Sequence, residues 1–278
     1  VTNDAEPRHR AWRRINALLA KDLLDLRQNP GIFWPALLTA AVALALPFMI
    51  AIVIPMLTGE RFSDSSDFEM AVEMYRDQPG TRALDPEGAI QAFIFQQFLP
   101  LLVLAPIAAS MSVAAASVIG EKQARTLEPL LATPITTGEL LTAKVLGSLL
   151  PALALTLFCY GLYSVGVAAF ARPGVHTILL APRSLGVVFL LGPLAALAAL
   201  QLAVCVSSRV NDPRSAQQIG ALIILPLTGV LIAQLSGHLA LTMPIILLIA
   251  GGLVSLNLLL IAIGITLFNR EAILTRWS

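Results

Sequence analysis

The sequence predicts an all-α membrane protein. It has six transmembrane helices preceded by an amphipathic interfacial helix, with a further cytoplasmic helical segment between the second and third spans. Three observations carry this prediction. The mean hydropathy of +0.81 over 278 residues lies well above that of soluble globular domains. The apolar residues form uninterrupted blocks rather than a dispersed pattern, and the charges between those blocks alternate from basic to sparse along the chain.

Segments 31–59, 88–120, 145–171 and 184–208 contain no Asp, Glu, Lys or Arg, and 215–269 is a charge-free block of 55 residues. A bilayer crossing takes about 20 apolar residues at roughly 1.5 Å rise each. The first four blocks therefore hold one span each and the last holds two: about 32–56, 94–119, 145–170, 185–206, 216–235 and 243–268. With the amino terminus inside the cell, thirteen Lys and Arg fall on the cytoplasmic side and five on the other. That is the bias of the positive-inside rule, and it places both termini in the cytoplasm. The net charge of +1 offers no footprint for nucleic acid.

Taken in order, 2–8 is polar and expected to be disordered. From Ala11 to Arg27, Trp12, Ile15, Leu19, Leu23 and Leu26 recur at spacings of three and four, opposite Arg13, Arg14, Lys21, Asp22 and Asp25. This helix is too polar to cross a membrane, and its basic start and Trp suit the cytoplasmic interface. Asn29, Pro30 and Gly31 end it, so 1–30 forms a cytoplasmic N-terminus and 31–278 the membrane domain. The apolar run that follows exceeds the 7–15 residues typical of a signal core, so it reads as a retained first span, with Pro35 and Pro47 as kink positions.

The outer segment 57–90 has acidic residues in excess, with a short helix suggested by Phe68, Ala71 and Met74. It is too short for a domain with its own core. Gly120 marks the exit of the second span, Asn211, Asp212 and Pro213 a cytoplasmic turn, and Ser236, Gly237 and His238 an outer reversal. Cys159 and Cys205 lie within spans and read as packing residues, without disulfide or metal spacing. The polar candidates within spans are mainly amides. Gln91, Gln96 and Gln97, at the outer end of the second span, suggest a polar path lining, with Asn257 further along the chain. Each amide alone is equally readable as a bond to a neighbouring helix. No converging catalytic set is visible, and proton-relay or ion-coupled chemistry is disfavoured by the uncharged spans.

Segment 121–144, EKQARTLEPLLATPITTGELLTAK, carries six charges between two runs that carry none. Leu127, Leu130 and Leu131 share a helical face, Pro134 stops the helix, and Thr-Thr-Gly-Glu opens a second helix that runs through Lys144 into the third span. This segment resembles the signature of type-two ATP-binding-cassette permeases: an acidic residue and Thr-Leu-Glu before a leucine pair, then Thr-Pro, then a lysine opening the next span. The six-span layout agrees with it. Arg125 stands where many such relatives have glycine.

The resemblance implies that 120–144 is a coupling helix docking on a separate ATPase subunit. The contacts it implies are Glu121, Lys122, Arg125, Thr126, Leu127, Glu128, Leu130, Leu131, Thr133 and Pro134. It further implies an export permease in a bacterial or archaeal plasma membrane, working as a homo- or heterodimer among membrane lipids. No Gly-x-x-x-x-Gly-Lys-Ser/Thr loop occurs in the sequence, so ATP and Mg are expected on the partner ATPase, with no cofactor, metal or catalytic residue here. The mostly apolar interior favours a lipid-like, drug-like or other amphipathic cargo. The alternative is a non-transporting membrane subunit for signalling or assembly.

Overall fold

The computed structural model describes residues 5–28, 30–59, 84–123, 136–207, 218, 222, 224–235 and 241–267. Its elements, in chain order, are α1 (Ala5–Gln28), α2 (Trp34–Thr58), α3 (Pro86–Gln97), α4 (Leu99–Gln123), α5 (Thr137–Phe170), α6 (Pro182–Val206), α7 (Ile224–Leu235) and α8 (Met243–Leu267). There is no strand among the described residues. Five stretches are long and apolar enough to cross a membrane: Trp34–Thr58, Pro86–Ser117, Gly138–Phe170, Pro182–Val206 and Met243–Ile265. Of the expected fifth span, 216–235, the helix Ile224–Leu235 is described and much of the remainder lies outside the described residues. The same holds for the expected short outer helix near Phe68, the turn at Asn211–Pro213 (211–213) and the reversal at 236–238.

The spans differ sharply in burial. Within its most apolar window 83% of Pro86–Ser117 is buried, against 22% for Trp34–Thr58 and for Met243–Ile265. The second span is thus the centre of the bundle, and α4 packs on α2, α5 and α6. Small residues make this possible. Ala36, Ala40, Ala43 and Pro47 form the buried stripe of α2, and Ala36, Ala109 and Ala152 meet where α2, α4 and α5 converge. Without a strong hydrophobic drive between helices in lipid, close backbone approach through small residues supplies the packing energy. The large residues of α2 and α8, such as Leu38, Met56, Leu248 and Leu258, point outward instead.

At some prolines, where a backbone donor is lost, the helices depart from regular geometry, although Pro106 and Pro151 lie within continuous helix. Pro47 precedes a wide π-type turn over Met49–Val53 in α2. The expected second span is broken at Phe98, because Pro100 has no N–H to continue the ladder. Its helix also starts earlier than expected, at Pro86, inside the predicted outer segment. Asp85 accepts a hydrogen bond from Gly88 N at 3.1 Å and caps that start, with proline favoured in the first turn. A further wide turn, Gly186–Leu191, lies within α6.

The N-terminal helix corrects two expectations. It begins at Ala5, so part of the supposedly disordered leader is helical. Pro7 is tolerated in the first turn, where the backbone N–H has no intrahelical partner anyway. Its buried stripe is Ile15, Leu18, Asp22 and Leu26: Ile15 and Leu26 of the predicted apolar side are buried and Leu19 partly so, whereas Trp12 and Leu23 of that side are exposed and Asp22 of the polar side is buried. A charged residue enters the packed stripe because a partner of opposite charge waits on α5.

Candidate functional site

The end of the bundle that carries α1, here called the base, holds the two most buried ion pairs among the described residues, whereas Arg172 and Asp85 pair at the other end at 3.8 Å. Thr136 N-caps α5: its hydroxyl accepts from Glu139 N at 3.2 Å, and Glu139 Oε2 accepts from Thr136 N at 2.9 Å. This is the capping box that the Thr-Thr-Gly-Glu run predicts. Glu139 then does double duty. Arg14 of α1 donates from Nε to Glu139 Oε2 at 3.2 Å and from Nη2 to Oε1 at 2.5 Å, a two-pronged guanidinium–carboxylate pair.

One and a half turns further along α5, Lys144 is 4% exposed and Asp22 8% exposed. Lys144 Nζ donates to Asp22 Oδ1 at 3.1 Å and to Ser117 Oγ, near the end of α4, at 2.6 Å. Gly147 lets α1 approach: a Cβ there would lie 3.3 Å from Asp22 Oδ2. Around the charges, Ile15 and Leu18 of α1 pack on Leu140 and Ala143 of α5. A lysine and an aspartate this dry persist together because each cancels the other's desolvation cost.

Sequence reasoning named Lys144 only as the opening of a span and put Asp22 on the polar side of α1. Their pairing was missed. The usable signal was Asp22 standing in phase with Ile15, Leu18 and Leu26, and a lysine at the edge of an apolar run.

The segment predicted to bind a partner hangs from this base. Glu121 and Lys122 lie in the last turn of α4. Arg125, Thr126, Leu127, Glu128, Leu130, Leu131, Thr133 and Pro134 lie outside the described residues. What the structure does set is the position of the two attachment points, which Lys144 bonds to one another through Ser117.

The predicted path amides sit elsewhere and are all buried. Gln91 Nε2 donates to Ala51 O at 3.4 Å, and its Oε1 accepts from Arg172 N at 2.8 Å. Gln96 Nε2 donates to Ser184 Oγ at 3.3 Å. Gln97 Nε2 donates to Gln234 O at 2.7 Å, and Gln234 Nε2 returns a bond to Gln97 Oε1. Asn257 Nδ2 donates to Leu194 O at 3.1 Å and Leu253 O at 2.8 Å, while its Oδ1 accepts from Gln201 Nε2 at 3.0 Å. The three glutamines thus lie in one region, near the start of α6, and Asn257 lies apart from them. In this conformation each amide ties one helix to another.

Next to the glutamines is an aromatic group that the sequence did not announce. Phe48, Phe95 and Tyr163 pack edge to face or tilted at centroid separations of 5.1–5.9 Å. Tyr163 donates its hydroxyl to Phe95 O at 2.8 Å, just before the helix break. Gly166 makes room for it, since a Cβ there would fall 2.7 Å from Phe48 Cζ.

The geometry is therefore that of a helical membrane bundle with a charged, rigid base and no assembled reactive centre among the described residues. Comparison with curated proteins and with solved structures finds no match. Comparison with protein families does: the family described as ABC-2 family transporter protein matches residues 84–249, from the start of α3 into α8. That stretch takes in well over half of the chain, and the protein belongs to the ABC-2 transporter family, as a multi-pass transmembrane permease component.

Proposed function

We propose that this chain is the permease subunit of an ABC exporter and moves a lipid-like, drug-like or other amphipathic cargo by alternating access. The observation that carries the reading is the family match over 84–249, which encloses the leucine-faced segment 121–134. In this reading six spans form the permease domain 31–278, α1 lies in the cytoplasmic interface and both termini are cytoplasmic. The host membrane is a bacterial or archaeal plasma membrane. Two such chains, identical or not, pair with two ATPase chains that hold ATP and Mg.

The leucines Leu127, Leu130 and Leu131 fill a groove of the ATPase, and Glu121, Lys122, Arg125 and Glu128 meet charges at its rim. Thr126, Thr133 and Pro134 complete the contact set. The base supports this role, because the segment's two flanks are bonded to each other and to α1, so displacement of the segment is passed into the spans. Cargo passes along Gln91, Gln96, Gln97 and Asn257. Opening that path exchanges their interhelical bonds for bonds to cargo or water.

The test is co-purification of the permease with its ATPase from membranes. Leu130→Asp is expected to cut ATPase retention more than about tenfold, because a carboxylate is left unpaired in an apolar groove. Glu121→Ala is expected to weaken it less, and to shift its salt dependence. Retention and transport equal to the parent chain in both variants would remove the ATPase assignment.

A further inference from the structure

At the base, α5, α6 and α8 leave between them a groove of about 330 Å³, within the range of roughly 300–1,000 Å³ common to small-molecule sites. Leu141 and Val145 of α5 form one wall, Leu260 and Gly264 of α8 the other, and Gln201 and Cys205 of α6 the floor. Among the described residues the lining contains no Asp, Glu, Lys or Arg. Thr142 and Ile261, on the rim, are exposed, so the groove opens sideways from the bundle where lipid would lie.

Gln201 gives the groove its chemistry. It is 6% exposed, and its Nε2 is committed to Asn257 Oδ1. That orientation is forced: Asn257 Nδ2 is used on Leu194 O and Leu253 O, so turning the Gln201 amide over would set two acceptor oxygens together. Gln201 Oε1 is consequently left buried, with no hydrogen-bond partner among the described residues. A buried acceptor in apolar surroundings is costly to leave unpaired.

We propose that this groove binds an uncharged membrane amphiphile, an aliphatic chain bearing a hydroxyl or amide N–H that donates to Gln201 Oε1. The chain covers the leucine and valine walls. A charged headgroup finds no counter-ion in the lining, and a plain hydrocarbon leaves the oxygen unpaired. The bilayer is the source, because the rim faces it. That the supplying leaflet is the cytoplasmic one rests on the topology proposed above; the groove and its ligand class do not.

The full chain in lipid nanodiscs is photolabelled with a diazirine-bearing dodecanol and, in parallel, with the matched diazirine dodecane, and labelled peptides are mapped by mass spectrometry. The alcohol is expected to label the groove-facing stretches of α5 and α8 saturably and to be displaced by unlabelled dodecanol. Gly264→Leu, which extends a side chain towards Cys205, and Ile261→Trp on the rim are each expected to reduce labelling roughly tenfold. Gln201→Leu is expected to bring the alcohol down to the alkane's level, a loss of up to about tenfold, the size of one hydrogen bond.

Unsaturable labelling spread over outward residues such as Leu38 and Leu248 would overturn the proposal. So would equal labelling by alcohol and alkane in the parent chain, or indifference to both blocking variants. None of these readouts requires the ATPase. A failed groove and a failed ATPase partnership are therefore told apart.

Discussion

Lys144 shows how much can depend on one side chain. Its ammonium group is nearly dry and bonded to Asp22 and Ser117, so removing it takes a close counter-charge away from a buried carboxylate. Lys144→Met is expected to lower stability by about 3–5 kcal/mol, and Asp22→Asn combined with it to regain most of that loss. Thermal unfolding of the four members of the cycle in one detergent measures the coupling. The Arg14–Glu139 pair, with its guanidinium about one-third exposed, is a different case: Arg14→Ala is expected to cost only ~0.2–1 kcal/mol, since water reaches and screens the pair. At Gly166 the constraint is steric. Gly166→Ala would drive a methyl group into Phe48, at an expected cost of about 1–3 kcal/mol, read as a fall in melting temperature.

At the scale of the element, the sequence was most readable where one property runs unbroken. Charge-free blocks located the helices that are long enough to span, and Thr-Thr-Gly-Glu located the start of α5 at Thr136. Thr136→Ala is expected to cost about 0.5–2 kcal/mol at that start, seen as faster amide exchange in the first turns of α5 with little change in the later ones. What could not be read depended on neighbours. The wide turn in α2 follows Pro47, which the sequence marks as a kink position, but the break at Phe98 and the wide turn in α6 are local responses that hydropathy does not register. The face of α1 was only partly placed, with Ile15 and Leu26 on the buried side as expected, because periodicity treats Asp22 as a solvent-facing residue until Lys144 is known to lie opposite. Gln201 and Asn257 likewise read as generic amides, and only the tertiary arrangement commits three of their four polar groups and leaves one open.

For the whole molecule, the helical membrane architecture follows from properties summed over long stretches and was legible, while the family was legible from one short segment, 121–144, set within that layout. The docking residues are short-range chemistry resting on a resemblance. The orientation proposed here is open to a direct check. With Cys159 and Cys205 both buried, single cysteines can be introduced against a quiet background. Ser65→Cys is expected to react with an impermeant maleimide on intact cells, and Ser208→Cys only after permeabilisation. The opposite pattern would turn the molecule over and take the ATPase-facing segment with it.

The bonding of Lys144 to both Ser117 and Asp22 has one more consequence. The two rods on either side of the proposed docking stretch and the N-terminal rod meet at a single ionic knuckle. A tug on any one of them is felt by all three at that point, before it reaches the lipid-covered length. Cutting the knuckle would leave α1 and α5 joined by the Arg14–Glu139 pair and apolar packing, but α4 would lose its polar tie to the other two: a partner could still hold on, yet part of its stroke would be lost as slack.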